Sequence, residues 1–239
     1  MTWLFAIIAL LCEIIGTVGG FGSSVFFVPL AGFFFNLKIV LGLTAVLHVF
    51  SNLAKIILFR KHIDYKLMWL FGIPSTFAVM LGAWIVTVTD IRYGELILSI
   101  FLLSFSAFFY FKPNFILPPN KANAITGGSI AGFLAGLIGT GGAVRGASMT
   151  AFNLEKSVFV GTSAAIDMGV DFSRSIIYLE NGFIGKEHLP LIPILLFVSF
   201  VGSYIGKRIF AYVSQVNFKK IVLGLIFIIG IITFVKSIQ

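Results

Sequence analysis

Residues 136–148 read "GLIGTGGAVRGAS", and residues 16–29 read "GTVGGFGSSVFFVP". Both stretches gather glycines inside apolar sequence, and the later one adds a charge, Arg145. Irregular backbone within a bilayer persists only where protein or a wet cavity covers it. The two stretches therefore predict two helix breaks in the interior of a membrane bundle.

The surrounding composition supports the bilayer. The chain of 239 residues is 59% hydrophobic and 11% charged, with mean hydropathy +1.07. A soluble domain carries about 25% charged residues. Runs such as "LILSIFLLSFSAFFYF" (residues 96–111) approach the ~20 residues of a spanning helix. They lack the alternation of barrel strands. The expectation is an all-α polytopic protein, multi-pass in the cell membrane. The net charge of +8 sits in short loops between apolar runs, as topology signals do, so no nucleic-acid partner is expected. Cys12 is the single cysteine, which excludes an internal disulfide and a multi-cysteine metal site. No HExxH pattern or Ser–His pairing stands out, and His62 and His188 lie near loops, away from an obvious nucleophile. No enzyme, metal or cofactor is expected. The first fifteen residues lack a basic start, and Glu13 interrupts them. They read as a membrane segment rather than a signal peptide.

Apolar segments fall at residues 3–36, 38–59, 67–89, 94–111, 123–153, 157–179, 188–210 and 218–236. The longest polar break, "KPNFILPPNKAN", starts at Lys112 and holds three of the seven prolines. It divides the chain into a first repeat (1–111), a linker (112–122) and a second repeat (123–239). At offset 120, Gly16, Gly19 and Gly22 fall on Gly136, Gly139 and Gly142, and Gly82 falls on Gly202. At offset 119, Gly42 falls on Gly161 and Phe59 on Tyr178. So near-constant an offset indicates an internal duplication into two homologous halves of about four hydrophobic segments each. Transporter folds place their site at such a repeat interface.

The first and fifth segments exceed the ~20 residues that a span needs. Each is either one broken, tilted helix or a re-entrant hairpin of two half-helices. Loop charges discriminate. If all eight segments cross, basic residues divide evenly. If the two long segments return to their own side, Arg60, Lys61, Lys66, Lys112, Lys121, Lys156, Lys207, Arg208, Lys219 and Lys220 share one face, against Lys38, Arg92, Lys186 and Lys236. The positive-inside rule favours the hairpins, with the richer face cytoplasmic. The halves are then inverted and both termini face outward.

A helix break exposes N–H groups at the start of the next half-helix, and these favour an anion. Glycine also lets the backbone approach a ligand closely. Gly19, Gly20 and Gly22 in one break and Gly139, Gly141 and Gly142 in the other are the candidate backbone site. Ser23, Ser24 and Ser148 are candidate hydroxyl donors, and Arg145 supplies charge. Gly127, Gly128 and Gly132 suit helix packing better. After each break runs a polar stripe. Thr44, His48, Asn52 and Lys55 recur at offset 119 as Ser163, Asp167, Asp171 and Arg174, and that spacing puts each set on one helix face. Intramembrane ionisable residues usually face a cavity or a partner. His48, Asn52, Asp167, Asp171 and Arg174 are candidates for coupling or gating. Plainer readings stand beside these. Asp171 and Arg174 neutralise each other, Arg174 snorkels, and His48 is a bonded core histidine. Arg145 either binds the substrate as a fork or pairs with Asp167 or Asp171. Asp167, if unpaired, would carry a proton.

Together, "GTVGGFGSSVFFVP", "GFLAGLIGTGGAVRG" (132–146) and "GTSAAIDMGVDFSRSIIYLENGFI" (161–184) resemble the sulfite exporter TauE/SafE family of membrane transporters. The resemblance covers essentially the whole chain. It implies transport of small sulfur-containing anions, organic sulfonates and related carboxylates. Phe21 stands where that family often has glycine, and Met149 stands opposite Pro29. The two half-sites are therefore expected to be unequal, and the substrate need not be sulfite.

The combined reading is a secondary transporter, an exporter of sulfite, sulfoacetate or a related C2 sulfonate, bound near the midplane at the two breaks. The alternative is an anion channel with the same site and no alternating access. An intramembrane enzyme and an accessory membrane protein are the remaining classes. Partners are the anion, the lipid bilayer, a proton or sodium ion if transport is coupled, and a second copy if the protein oligomerises. Outward movement of an anion is driven by ~2.3 kcal/mol per charge per 100 mV without coupling. Import would call for a coupling ion.

Overall fold

A computed structural model describes residues 2–20, 22–89, 93–112, 115, 118–150, 152, 154–212 and 215–238. Phe21, Arg92 and part of the proline-rich linker lie outside these residues. The described residues are helical throughout, with no strand. In chain order the helices are α1 (Thr2–Gly19), α2 (Ser24–Ala31), α3 (Leu37–Phe59), α4 (Tyr65–Val88) and α5 (Gly94–Phe111). The second half gives α6 (Lys121–Ile138), α7 (Gly142–Thr150), α8 (Lys156–Glu180), α9 (Leu191–Phe210) and α10 (Gln215–Ser237). A short 3-10 turn, Lys186–His188, precedes α9.

Local chemistry sets several boundaries. Asn36, Asp64 and Asn120 each accept a hydrogen bond from a backbone N–H three residues on, at 3.1, 2.9 and 2.8 Å, and so cap α3, α4 and α6. Such caps satisfy one of the N–H groups a helix start leaves open. The Asn120 cap starts α6 at Lys121, so two residues assigned to the linker form its first turn. Among the described residues, four helices, α3, α4, α5 and α9, are long and apolar enough to cross a membrane.

The helices pack by a rule that is unchanged when the halves are exchanged. α1 packs on α9 as α6 packs on α4, and α3 packs on α9 as α8 packs on α4. α3 pairs with α8 and α5 with α10, each with its own counterpart. Gly42 near the start of α3 abuts Ile184 beyond the end of α8, and Gly161 near the start of α8 abuts His62 beyond the end of α3. The two helices are therefore antiparallel. Gly202 lies against Glu13, and Gly82 lies against Phe133, the residue at the corresponding position of the second half. Gly128 and Gly132 bring α6 against Phe71 and Ser75 of α4 so closely that a Cβ would meet backbone. Their part is packing.

Each long apolar segment is divided in two, and the chain folds back at the division. Gly141 and Ser148 of the second segment lie against Ala131 and Gly127, so α7 runs antiparallel to α6. Phe5 near the start of α1 packs against Phe27, Phe34 and Phe35 at 5.4–5.9 Å between ring centroids, so α2 returns along α1.

Large apolar side chains are exposed, and several charged ones are buried within an otherwise apolar core. Phe77 is 72% exposed and Trp84 56%, while Glu13, Lys55, Arg145, Asp171 and Arg174 are buried. A large exposed apolar surface marks a membrane or protein contact. The core then holds the charges.

Candidate functional site

The two breaks meet. Gly22 and Gly142 are equivalent positions, and a Cβ on Gly22 would stand 4.0 Å from the Gly142 Cα. In detail the breaks differ. The first has positive φ at Gly20 (70°) and Gly22 (86°), the second at Gly139 (77°). These angles suit glycine and strain other residues. Past each break, α2 and α7 begin with N–H groups that have no partner in their own helix.

Behind the breaks the stripes of α3 and α8 face each other. Asn52 Nδ2 donates to Asp171 Oδ2 at 2.7 Å. Arg174 closes on the same carboxylate, Nε to Oδ1 at 2.8 Å, and also donates to the carbonyl oxygens of Ala135 and Gly139 at 2.8 and 3.3 Å. Arg174 thus ties the end of α6 to α8. Arg145 donates through Nε to Ser163 at 3.1 Å and forms an ion pair with Asp167. The pairing reading of Arg145 therefore holds in this structure, and Asp167 is not unpaired.

One residue of the site escaped the sequence reading. Glu13 is fully buried and is the hub of the first half. Lys55 Nζ is 2.6 Å from Glu13 Oε1, and Ser51, Thr17 and Ser203 donate to that oxygen at 2.5, 3.2 and 3.3 Å. Ser23 donates to Oε2 at 2.7 Å. The signal was present: a carboxylate alone in an apolar run needs a partner inside the bundle. It served only to argue against a signal peptide.

His48 links the two halves. Its Nε2 is 2.9 Å from Ser23 Oγ. The one hydroxyl proton of Ser23 goes to Glu13, so Ser23 accepts from His48, which assigns the ring proton to Nε2. Nδ1 then faces Arg174 at 3.5 Å and Asp171 at 3.6 Å.

Two small clefts open onto this network. The first holds Gly20, Ser23, Asn52, Lys55 and Ser163, and the second holds Ser24, Gly139, Gly141, Gly142, Asp171 and Arg174. Gly22, His48, Arg145 and Asp167 line both. Gly19 and Ser148 line neither. Gly19 ends α1, and the Ser148 hydroxyl donates to the Val144 carbonyl at 2.9 Å while packing on Gly127. In this structure the Ser148 side chain packs against α6. No group of His, Cys, Asp and Glu suited to a metal occurs among the described residues.

A family model described as "Sulfite exporter TauE/SafE" matches residues 5–233. The chain belongs to the sulfite exporter TauE/SafE family. Membership makes it a member of a transporter family and implies a membrane protein that moves sulfur-containing anions. Among curated proteins no sequence matches the chain. The match runs through both breaks and both stripes of this TauE/SafE member, so the clefts lie wholly within the family region.

Proposed function

We propose that the chain exports a small sulfur oxyanion, sulfite or a C2 sulfonate, across the cell membrane by alternating access. The anion binds where the two breaks meet. Arg145 contributes the charge, Gly20, Gly22, Gly139, Gly141 and Gly142 the close backbone approach, and Ser23 and Ser24 the hydroxyls. The observation that carries this reading is the position of Arg145. It is a buried guanidinium lining both clefts, beside the first turn of a half-helix. A planar fork suits a sulfonate as it suits a carboxylate. His48, Asn52, Asp167, Asp171 and Arg174 act in coupling or gating.

The halves are inverted in this reading. Equivalent helices α3 and α8 run antiparallel, so the axis relating them lies in the membrane plane if both cross. The fold-back of α2 and α7 supports two re-entrant hairpins flanked by six crossings. That arrangement gives the face rich in lysine and arginine to the cytoplasm.

The test is a thermal-shift screen of detergent-purified protein with sulfite, sulfate, thiosulfate, sulfoacetate, taurine, acetate and chloride. A ligand that binds the folded state alone raises its melting temperature. The expected result is stabilisation by a sulfur oxyanion that Arg145→Ala loses. No shift with any anion in a folded sample overturns the site. Saturable flux accelerated by substrate on the opposite side separates the transporter from a channel.

A further inference from the structure

We infer that the Asp167 carboxylate holds the place of the substrate anion on Arg145, and that each anion bound there puts one proton on Asp167. This rests on the anion-transport reading above and names its co-substrate. Buried charge is balanced one for one. Lys55 pairs with Glu13, Arg174 with Asp171 and Arg145 with Asp167. His48 meets Ser23 through Nε2 and faces Asp171 and Arg174 through Nδ1. A monoanion entering the clefts meets no lysine or arginine among the lining residues that lacks a carboxylate partner. An uncompensated buried charge is strongly unfavourable, so the anion must replace a carboxylate or arrive with a proton.

The geometry selects the carboxylate. Glu13 is held by Lys55 and four hydroxyls and has 0% side-chain exposure. Asp171 is held by Arg174 and Asn52 at 3% exposure. Asp167 is held by Arg145 alone among the described residues, is 14% exposed, and lines both clefts. The charged and titratable groups around it are Arg145 of α7, His48 and Lys55 of α3, and Asp171 and Arg174 of α8. α4 lends Ser75 and α6 backbone only; neither brings an ionisable group to the clefts.

In the loaded site a proton from solvent sits on an Asp167 oxygen, and the neutral acid releases Arg145. The sulfonate oxygens then take the guanidinium. Loaded and empty sites carry the same net charge. For a monoanion, transport then moves no net charge, and flux responds to the substrate and proton gradients rather than to the membrane potential.

The test uses the full-length protein in detergent and ethanesulfonate, whose sulfonate stays ionised across the titrated range. Affinity is measured against pH by calorimetry, and proton uptake in weak buffer. In the wild type, Kd is expected to rise about tenfold per pH unit once Asp167 is ionised in the empty protein, by proton linkage. About one proton is expected to be taken up per anion. Asp167→Asn, checked for folding by its melting temperature, should bind with a flat pH profile and no uptake. Asp167→Glu should keep the slope. A flat wild-type profile, or a slope that survives in Asp167→Asn, overturns the inference while leaving the anion site standing. Loss of the slope in His48→Asn with its retention in Asp167→Asn also overturns it and gives the proton to His48. Failure of folded wild type to bind ethanesulfonate, sulfite or sulfate overturns the transporter reading and the inference with it.

Discussion

Asn52 and Asp171 occupy the same position in the two halves, and their side chains are hydrogen-bonded to each other at 2.7 Å. In the proposed inverted-repeat reading, the pseudo-two-fold axis passes between them. An amide facing a carboxylate there is complementary, whereas two carboxylates would repel. Had the duplication kept identical residues, the contact would be two aspartates or two asparagines.

Removing that amide should register as stability. Asn52→Leu takes a donor from a carboxylate that is 3% exposed. Leaving a buried polar group short of a partner costs about 1–3 kcal/mol, and more when it is charged. The expected outcome is a lower melting temperature in detergent. An unchanged melting temperature would mean that Arg174 satisfies Asp171 by itself.

Glu13 should be more sensitive than any other carboxylate. Glu13→Gln leaves Lys55 buried without its counter-charge, and breaking a buried pair from one side costs about 3–5 kcal/mol. Replacing both, as Glu13→Gln with Lys55→Met, should recover much of that loss. Denaturation of the two variants beside the wild type checks the cycle. Equal destabilisation by the single and double variants would show that the hydroxyl network, not the charge pair, holds the first half.

The glycine contacts predict position-specific intolerance. A Cβ at Gly132 would meet the Ser75 backbone, whereas no described residue lies within 4 Å of one at Gly224. Gly132→Val should destabilise by at least the 1–3 kcal/mol typical of overpacking, about the scale of a lost core contact. Gly224→Val should fold as the wild type does. Yield of monodisperse protein and melting temperature read the difference.

Antiparallel α3 and α8 make a topological prediction. Lys61 follows α3 and Lys186 follows α8, and both are exposed. With Cys12→Ser as background, Lys61→Cys and Lys186→Cys should react with an impermeant thiol reagent from opposite sides of the membrane. Labelling from the same side would end the inverted arrangement.

Much of this protein is written in single-helix patterns. Composition assigned it to the bilayer, and the offset of 119–120 residues is the basis of the proposed duplication. The glycine runs marked the stretches at which the structure divides the long segments, and the spacing of His48, Asn52 and Lys55 put them on one face of α3. These are local signals, because helical periodicity reports which side of one helix is polar. Sequence alone left Arg145 between substrate and aspartate, counted Ser148 as a donor, and passed over Glu13. Those questions turn on the register between helices far apart in the chain. Gly132 fixes how deeply α6 settles on α4, and Gly202 fixes where α9 meets α1. Only that register puts Ser203 on Glu13 and Arg145 on Asp167, because a side chain finds its partner across an interface whose geometry the backbone contacts decide.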